Sequence, residues 1–255
     1  MHQLPLEQQV LEVAQIAVLL ALCSKLWLSG LYKTYVFFFS FLVLEFLQVL
    51  IPVFVPLNGI LYRDTYVASQ ALVVCCCALV VMELYSVILR NLEGISSVAR
   101  RYIKITLALS ITLSLLPLYI EKTPDTLTGY LFIFERPILS SLLLFVLLIA
   151  AFLVYYPVPI GRNVMVYLLG YAVYFIALAG AVFFLNNLGY YSNRWLGNLD
   201  MGFSLICPLF WLIFLNRRGE EKSVVVGHHW NPGDQQRLLA QLQAINATLL
   251  RSGRK

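Results

Sequence analysis

Seven apolar stretches of membrane-spanning length occupy the chain between residues 10 and 215, and the Lys and Arg residues between them fall mostly on alternate loops. Few folds satisfy that pattern. A hydrocarbon core of ~30 Å is crossed by roughly 20 helical residues, and a segment in lipid must pair its own backbone groups, which admits helices and closed barrels only. The runs are continuous rather than alternating, so they predict helices. Composition agrees, because 60% hydrophobic residues, 12% charged residues and a mean hydropathy of +0.81 leave too little polar surface for a soluble globule of 255 residues.

The predicted spans cover residues 10–28, 35–56, 65–89, 102–120, 137–156, 164–185 and 199–215. With the N-terminus outside, Lys25, Lys33, Arg90, Arg100, Arg101, Lys104, Arg162, Arg217, Arg218, Lys222 and the four basic residues of the tail lie inside. That places 14 of the 18 basic residues on one side, against Arg63, Lys122, Arg136 and Arg194 on the other. The positive-inside rule then predicts N-out, C-in. The expected fold class is all-α, a polytopic bundle of seven transmembrane helices (residues 1–222) with a cytoplasmic tail (223–255) carrying an amphipathic helix over 232–252. The expected location is a membrane, with the basic loops on its cytoplasmic side. The net charge of +5 follows from this topology and from attraction to anionic headgroups, and gives no independent reason to expect nucleic-acid binding.

Residues 1–9 contain Glu7 and no Lys or Arg, the reverse of a secretory signal's basic start, so the first span is expected to remain. Lipidation is not expected either, since Leu22 rather than a small residue precedes Cys23. All five cysteines fall in predicted spans, which argues against a disulfide framework. Cys75, Cys76 and Cys77 project ~100° apart on a helix and cannot converge on one metal ion. No metal or cofactor is expected.

Ionisable groups inside lipid are the stronger functional pointers, because a mid-bilayer carboxylate costs on the order of 2.5 to 3.5 kcal/mol on insertion scales. Glu45 is the clearest, close to the midplane of the second span and level with Cys76, with Gln48 on nearly the same face. It suits a protonated interhelical donor or an ion or proton site, and the sequence reveals no second acidic or basic group at its depth. Thr106, Ser110 and Ser114 form a hydroxyl stripe suited to close helix packing or to a polar lining. Tyr167, Tyr171 and Tyr174 share a face of the sixth span, with Gly170, Ala177 and Ala181 leaving room for a neighbouring backbone. That face fits packing or an aromatic ligand pocket. Glu83 with Arg90, and Asp200 at the start of the seventh span, read as interface anchors. Glu135 and Arg136, followed by Pro137, read as the outer start of the fifth span.

In the tail, Asn231 suits an N-cap and Pro232 the first helical position, while Leu238, Leu242, Ile245 and Leu249 form an apolar seam. Under three heptads is too short for an isolated coiled coil, so the helix is expected on the membrane, on the bundle's inner face, or against a partner, with Trp230 before it. His228 and His229 alone make no metal site, and no catalytic arrangement appears, so an enzyme is not expected.

The segments 35–40 and 83–90, Glu135–Arg136 entering a helix, 156–163 followed by Gly170, Tyr171 and Phe175, and the tail over 230–250 resemble an uncharacterised family of bacterial seven-helix membrane proteins along nearly the whole chain. The resemblance implies the topology and brings no activity, ligand or cofactor. Span 199–215 has no lysine for a retinal Schiff base, which excludes a light-driven pump of that kind. Two functional readings stand: a sensor or receptor-like bundle that signals to a cytoplasmic or membrane protein partner through its tail, and a transporter or channel-like protein using Glu45 and the polar faces. The second lacks an evident internal repeat. A structural subunit of a membrane complex is a third. The oligomeric state is open.

Overall fold

The computed structural model describes residues 6–54, 59–90, 92, 94, 95, 97, 99, 101–106, 108, 109, 112, 127–156, 158–188, 194–220, 223–225 and 232–252. The described residues are almost wholly helical: α1 (Leu6–Ser29), α2 (Val36–Phe54), α3 (Ile60–Ile88), α4 (Leu127–Tyr155), α5 (Arg162–Leu188), α6 (Arg194–Phe214) and α7 (Pro232–Ser252), with further helical residues among 94–112. Four segments, Gln8–Ser29, Val36–Phe54, Ile60–Ile88 and Pro137–Tyr155, are long and apolar enough to cross a membrane. Their outward faces are apolar: only 17% of the α2 window is buried within the protein, and Leu28 and Phe54 are largely exposed. Such a surface needs lipid as its solvent, which marks an integral membrane protein.

Six helices pack as a closed ring, α1 on α2, α2 on α3, α3 on α4, α4 on α5, α5 on α6 and α6 back on α1, with α3 also touching α5. Call the end where α1, α3, α4 and α6 begin the upper end. At the lower end Gly30 adopts φ +75°, the left-handed conformation that lets the chain turn out of α1. The next helix starts with help from another: the Glu83 carboxylate of α3 accepts the N–H groups of Phe37 and Phe38, 3.1 Å each, at the exposed N-terminus of α2. Lys25 of α1 donates to the carbonyl of Leu212, 2.6 Å away, one of the last in α6.

A two-stranded antiparallel ribbon, β1 (Pro159–Gly161) with β2 (Ser223–Val225), closes the lower end, Pro159 opposite Val225. The all-α expectation holds, and this six-residue ribbon is a small addition to it, since strands of three residues leave no periodicity to predict. Beside it, Asn163 is wholly buried: its amide nitrogen donates to the Asn216 carbonyl (2.9 Å) and to Glu220 Oε1 (2.8 Å). The Tyr35 hydroxyl donates to the same Glu220 oxygen at 2.8 Å, so one carboxylate ties three segments together. Burial first, then the Glu220 charge, pushes the Tyr35 phenol well above its ordinary range, which keeps it a donor. Gly219 has no side chain where the Asn163 amide sits.

Several sequence expectations shift. Pro137 does not start a helix: α4 begins at Leu127 and runs through Glu135 and Pro137, because a span packed among other helices tolerates a proline and its lost hydrogen bond. Glu135 is consequently no helix-start anchor but lies inside α4, 3% exposed. Asp200 does not open α6, which starts six residues earlier at Arg194. Gly170 makes room for the Trp211 indole, which lies where a Cβ would be, rather than for a neighbouring backbone.

Candidate functional site

Polar side chains from five helices converge on a cavity of about 250 Å³ in the upper half of the bundle. Glu12 and Gln15 come from α1, Glu45, Gln48 and Pro52 from α2, Tyr62, Tyr66 and Gln70 from α3, Tyr174 and Ala177 from α5, and Ser204 from α6. Glu45 is the central residue of α2, roughly 13 Å from either end at ~1.5 Å per residue. Tyr62 lies near the upper end of α3, and Gln70 roughly 15 Å below the start of that helix. The cavity therefore reaches from the upper rim to mid-bundle.

Two hydrogen-bonded groups organise its wall. The Tyr174 hydroxyl donates to Glu45 Oε1 at 2.8 Å. Gln48 donates its amide N–H to Gln70 Oε1 at 2.7 Å, and Gln70 donates in turn to Glu135 Oε1 at 2.7 Å. The Gln48 carbonyl oxygen and its second amide N–H make no hydrogen bond among the described residues, and Gln48 lines the cavity. Gln15 is 8% exposed and lines the cavity, and its amide has no hydrogen-bond partner among the described residues; the same holds for the Glu12 carboxylate. The Gln15 amide therefore faces the cavity with both its N–H donors and its carbonyl acceptor available to what the cavity receives. None of the described lining residues is Lys, Arg or His.

Below Tyr174 an aromatic layer fills the ring. Phe38 meets Tyr167 edge-on at 4.5 Å and Trp211 at 5.0 Å, and Tyr171 lies 4.9 Å from Trp211. Phe38, Tyr167, Tyr171 and Trp211 are nearly inaccessible, so the layer seals the cavity from the lower end. The hydroxyls of Tyr167 and Tyr171 and the Trp211 N–H have no partner there among the described residues.

Of the residues singled out in the sequence, Glu45, Gln48 and Tyr174 meet at the cavity, whereas Tyr167 and Tyr171 belong to the aromatic seal. Thr106 is half-buried and away from the cavity lining, and Ser110 and Ser114 lie outside the described residues. Glu83 caps α2, and Arg90 is exposed with no ion pair among the described residues. The side chains of Arg136 and Asp200 lie outside the description, as does Trp230.

In α7, Leu242 is buried, Leu238 and Leu249 are half-buried, and Ile245 is exposed. Asn246 Oδ1 accepts from the backbone N–H groups of Gly94 (2.8 Å) and Ile95 (3.2 Å), so the tail helix is seated just beyond the lower end of α3.

Sequence reasoning missed Glu12, Gln15, Tyr62, Tyr66, Gln70 and the inward role of Glu135. The missing acidic groups near Glu45 are in fact present: Glu12 lines the same cavity, and Glu135 joins it through Gln70. Their signal was available, one or two polar residues in each apolar helix, but only depth-matching across helices reveals it.

No family model, curated protein or solved structure matches this chain.

Proposed function

We propose that this chain is a non-enzymatic, receptor-like bundle of a bacterial cytoplasmic membrane, seven spans with N-out and C-in topology, as in the family it resembles. On this reading a small polar ligand enters the upper cavity, and the tail helix conveys occupancy to a cytoplasmic or membrane protein partner. The carrying observation is that a Gln15 amide and a Glu12 carboxylate, neither hydrogen-bonded among the described residues, line one cavity with an aromatic seal beneath it. A site that is polar above and closed below receives a molecule without passing it on. Helix α3 supplies a rigid connection, lining the cavity with Tyr62, Tyr66 and Gln70 and ending at Ile88, six residues before the Gly94 amide that Asn246 holds.

Hydrogen exchange on the full chain in lipid nanodiscs tests this. Filling the cavity with Ala177→Phe is expected to change protection at Gly94, Ile95 and in α7. Unchanged tail protection, together with solute flux into liposomes that Glu45→Gln abolishes, would replace the receptor reading with a transporter.

A further inference from the structure

The cavity's chemistry narrows its ligand beyond "small and polar". We infer that it is a site for a small protonated amine, held as an organic ammonium between Glu12 and Glu45, an assignment that rests on reading the cavity as a ligand site.

Charge comes first. Glu12 and Glu45 both line the cavity, Glu135 stands one amide away through Gln70, and no basic side chain occurs among the described lining residues. Carboxylates in a membrane interior are costly until a positive charge or protons offset them. The Glu12 and Glu45 carboxylates attract a cation entering from the upper rim, and its desolvation is shared among the oxygen acceptors of the cavity wall.

Hydrogen-bond polarity comes second. Tyr174 spends its proton on Glu45, and Gln48 spends an amide proton on Gln70. What remains at the cavity is the Glu12 carboxylate and the Gln48 carbonyl as acceptors, with the nine-tenths buried Gln15 amide able to accept and to donate. A ligand with several N–H donors matches the acceptors, whereas an anion would meet the Glu12 and Glu45 carboxylates.

Shape comes third. About 250 Å³ suits a molecule of a few carbons, and Tyr62, Tyr66 and Tyr174 offer aromatic faces of the kind that attract an alkylammonium. A bare metal ion is less well served, since no group of three His, Cys, Asp or Glu side chains converges among the described residues.

The test is saturable binding to the purified full-length protein in nanodiscs, with n-butylammonium, its neutral counterpart 1-butanol, tetramethylammonium and sodium as probes. The expected result is n-butylammonium at least tenfold tighter than 1-butanol and tighter than tetramethylammonium, which lacks N–H donors. Binding should fall tenfold or more in Glu12→Gln and in Glu45→Gln, and be blocked by Ala177→Leu, which fills the cavity without changing charge. Retained helicity and monodisperse elution identify the variants that have folded.

Equal binding of 1-butanol, blocked by Ala177→Leu, would overturn the ammonium assignment while leaving the ligand site standing. Saturation by sodium alone would likewise overturn it in favour of an inorganic cation. Binding of no probe, or n-butylammonium binding that is indifferent to all three variants, would overturn both the assignment and the ligand-site reading.

Discussion

Tyr174 and Glu45 are 129 residues apart in the chain, and the Tyr174 hydroxyl donates to the Glu45 carboxylate at 2.8 Å at the floor of the upper cavity. The bond fixes a carboxylate at the centre of α2 and orients it from α5 across the bundle. A side-chain hydrogen bond contributes about 0.5–1.5 kcal/mol between neutral groups and about 1.5–3 kcal/mol to an ionised one. A double-mutant cycle of Tyr174→Phe and Glu45→Gln, read by unfolding in detergent, is expected to give a coupling energy of about 1–2 kcal/mol. Additive effects would show that the two side chains do not act as a pair.

Glu83 accepts two amide protons at the N-terminus of α2, so its replacement leaves those two groups without their acceptor. Glu83→Ala is expected to lower stability by about 1–2 kcal/mol, the usual range for losing a helix cap. Glu83→Gln keeps one carbonyl acceptor and loses the charge, and should fall between. Thermal unfolding of the three proteins side by side gives the order.

Gly170 lies against the Trp211 indole so closely that a methyl group there would overlap the ring. Gly170→Ala is expected to destabilise by about 1–3 kcal/mol through overpacking. Trp211→Phe, a smaller ring without the indole N–H, should recover part of that loss in the double variant. If Gly170→Ala is as stable as the parent, the packing of α5 on α6 is not as described.

Asn246 holds the tail helix to the backbone of Gly94 and Ile95. Removing that acceptor with Asn246→Ala should cost about 1 kcal/mol, the value of a side-chain cap. Exchange at those two amides is then expected to rise about fivefold, while amides in the middle of α3 keep their protection. Unchanged exchange at residues 94 and 95 would mean that the seam around Leu242 holds α7 without Asn246.

The sequence by itself determined that this chain folds as helices in lipid. Continuous apolar runs admit no other backbone solution in a bilayer, which is why Glu45 could be assigned to the centre of its span before any coordinates. Local signals carried less far where the surroundings outweighed them. Pro137 looks like a helix start in isolation, yet α4 runs through it. Gly170 looks like space for a backbone, yet it receives an indole. The three-residue ribbon between β1 and β2 leaves no periodicity to read.

The cavity was decided only by tertiary structure. Glu12, Gln15, Gln70 and Glu135 are scattered polar residues on three helices, and nothing in their spacing says that they share a wall. Helix rotation and depth bring them together, and those depend on contacts such as Lys25 on Leu212, Asn163 on Asn216 and Phe38 on Trp211. Hydrophobicity is non-directional and sets which segments enter the membrane. Close packing and directional hydrogen bonds between distant residues set which faces meet, and with them the place where a ligand can sit.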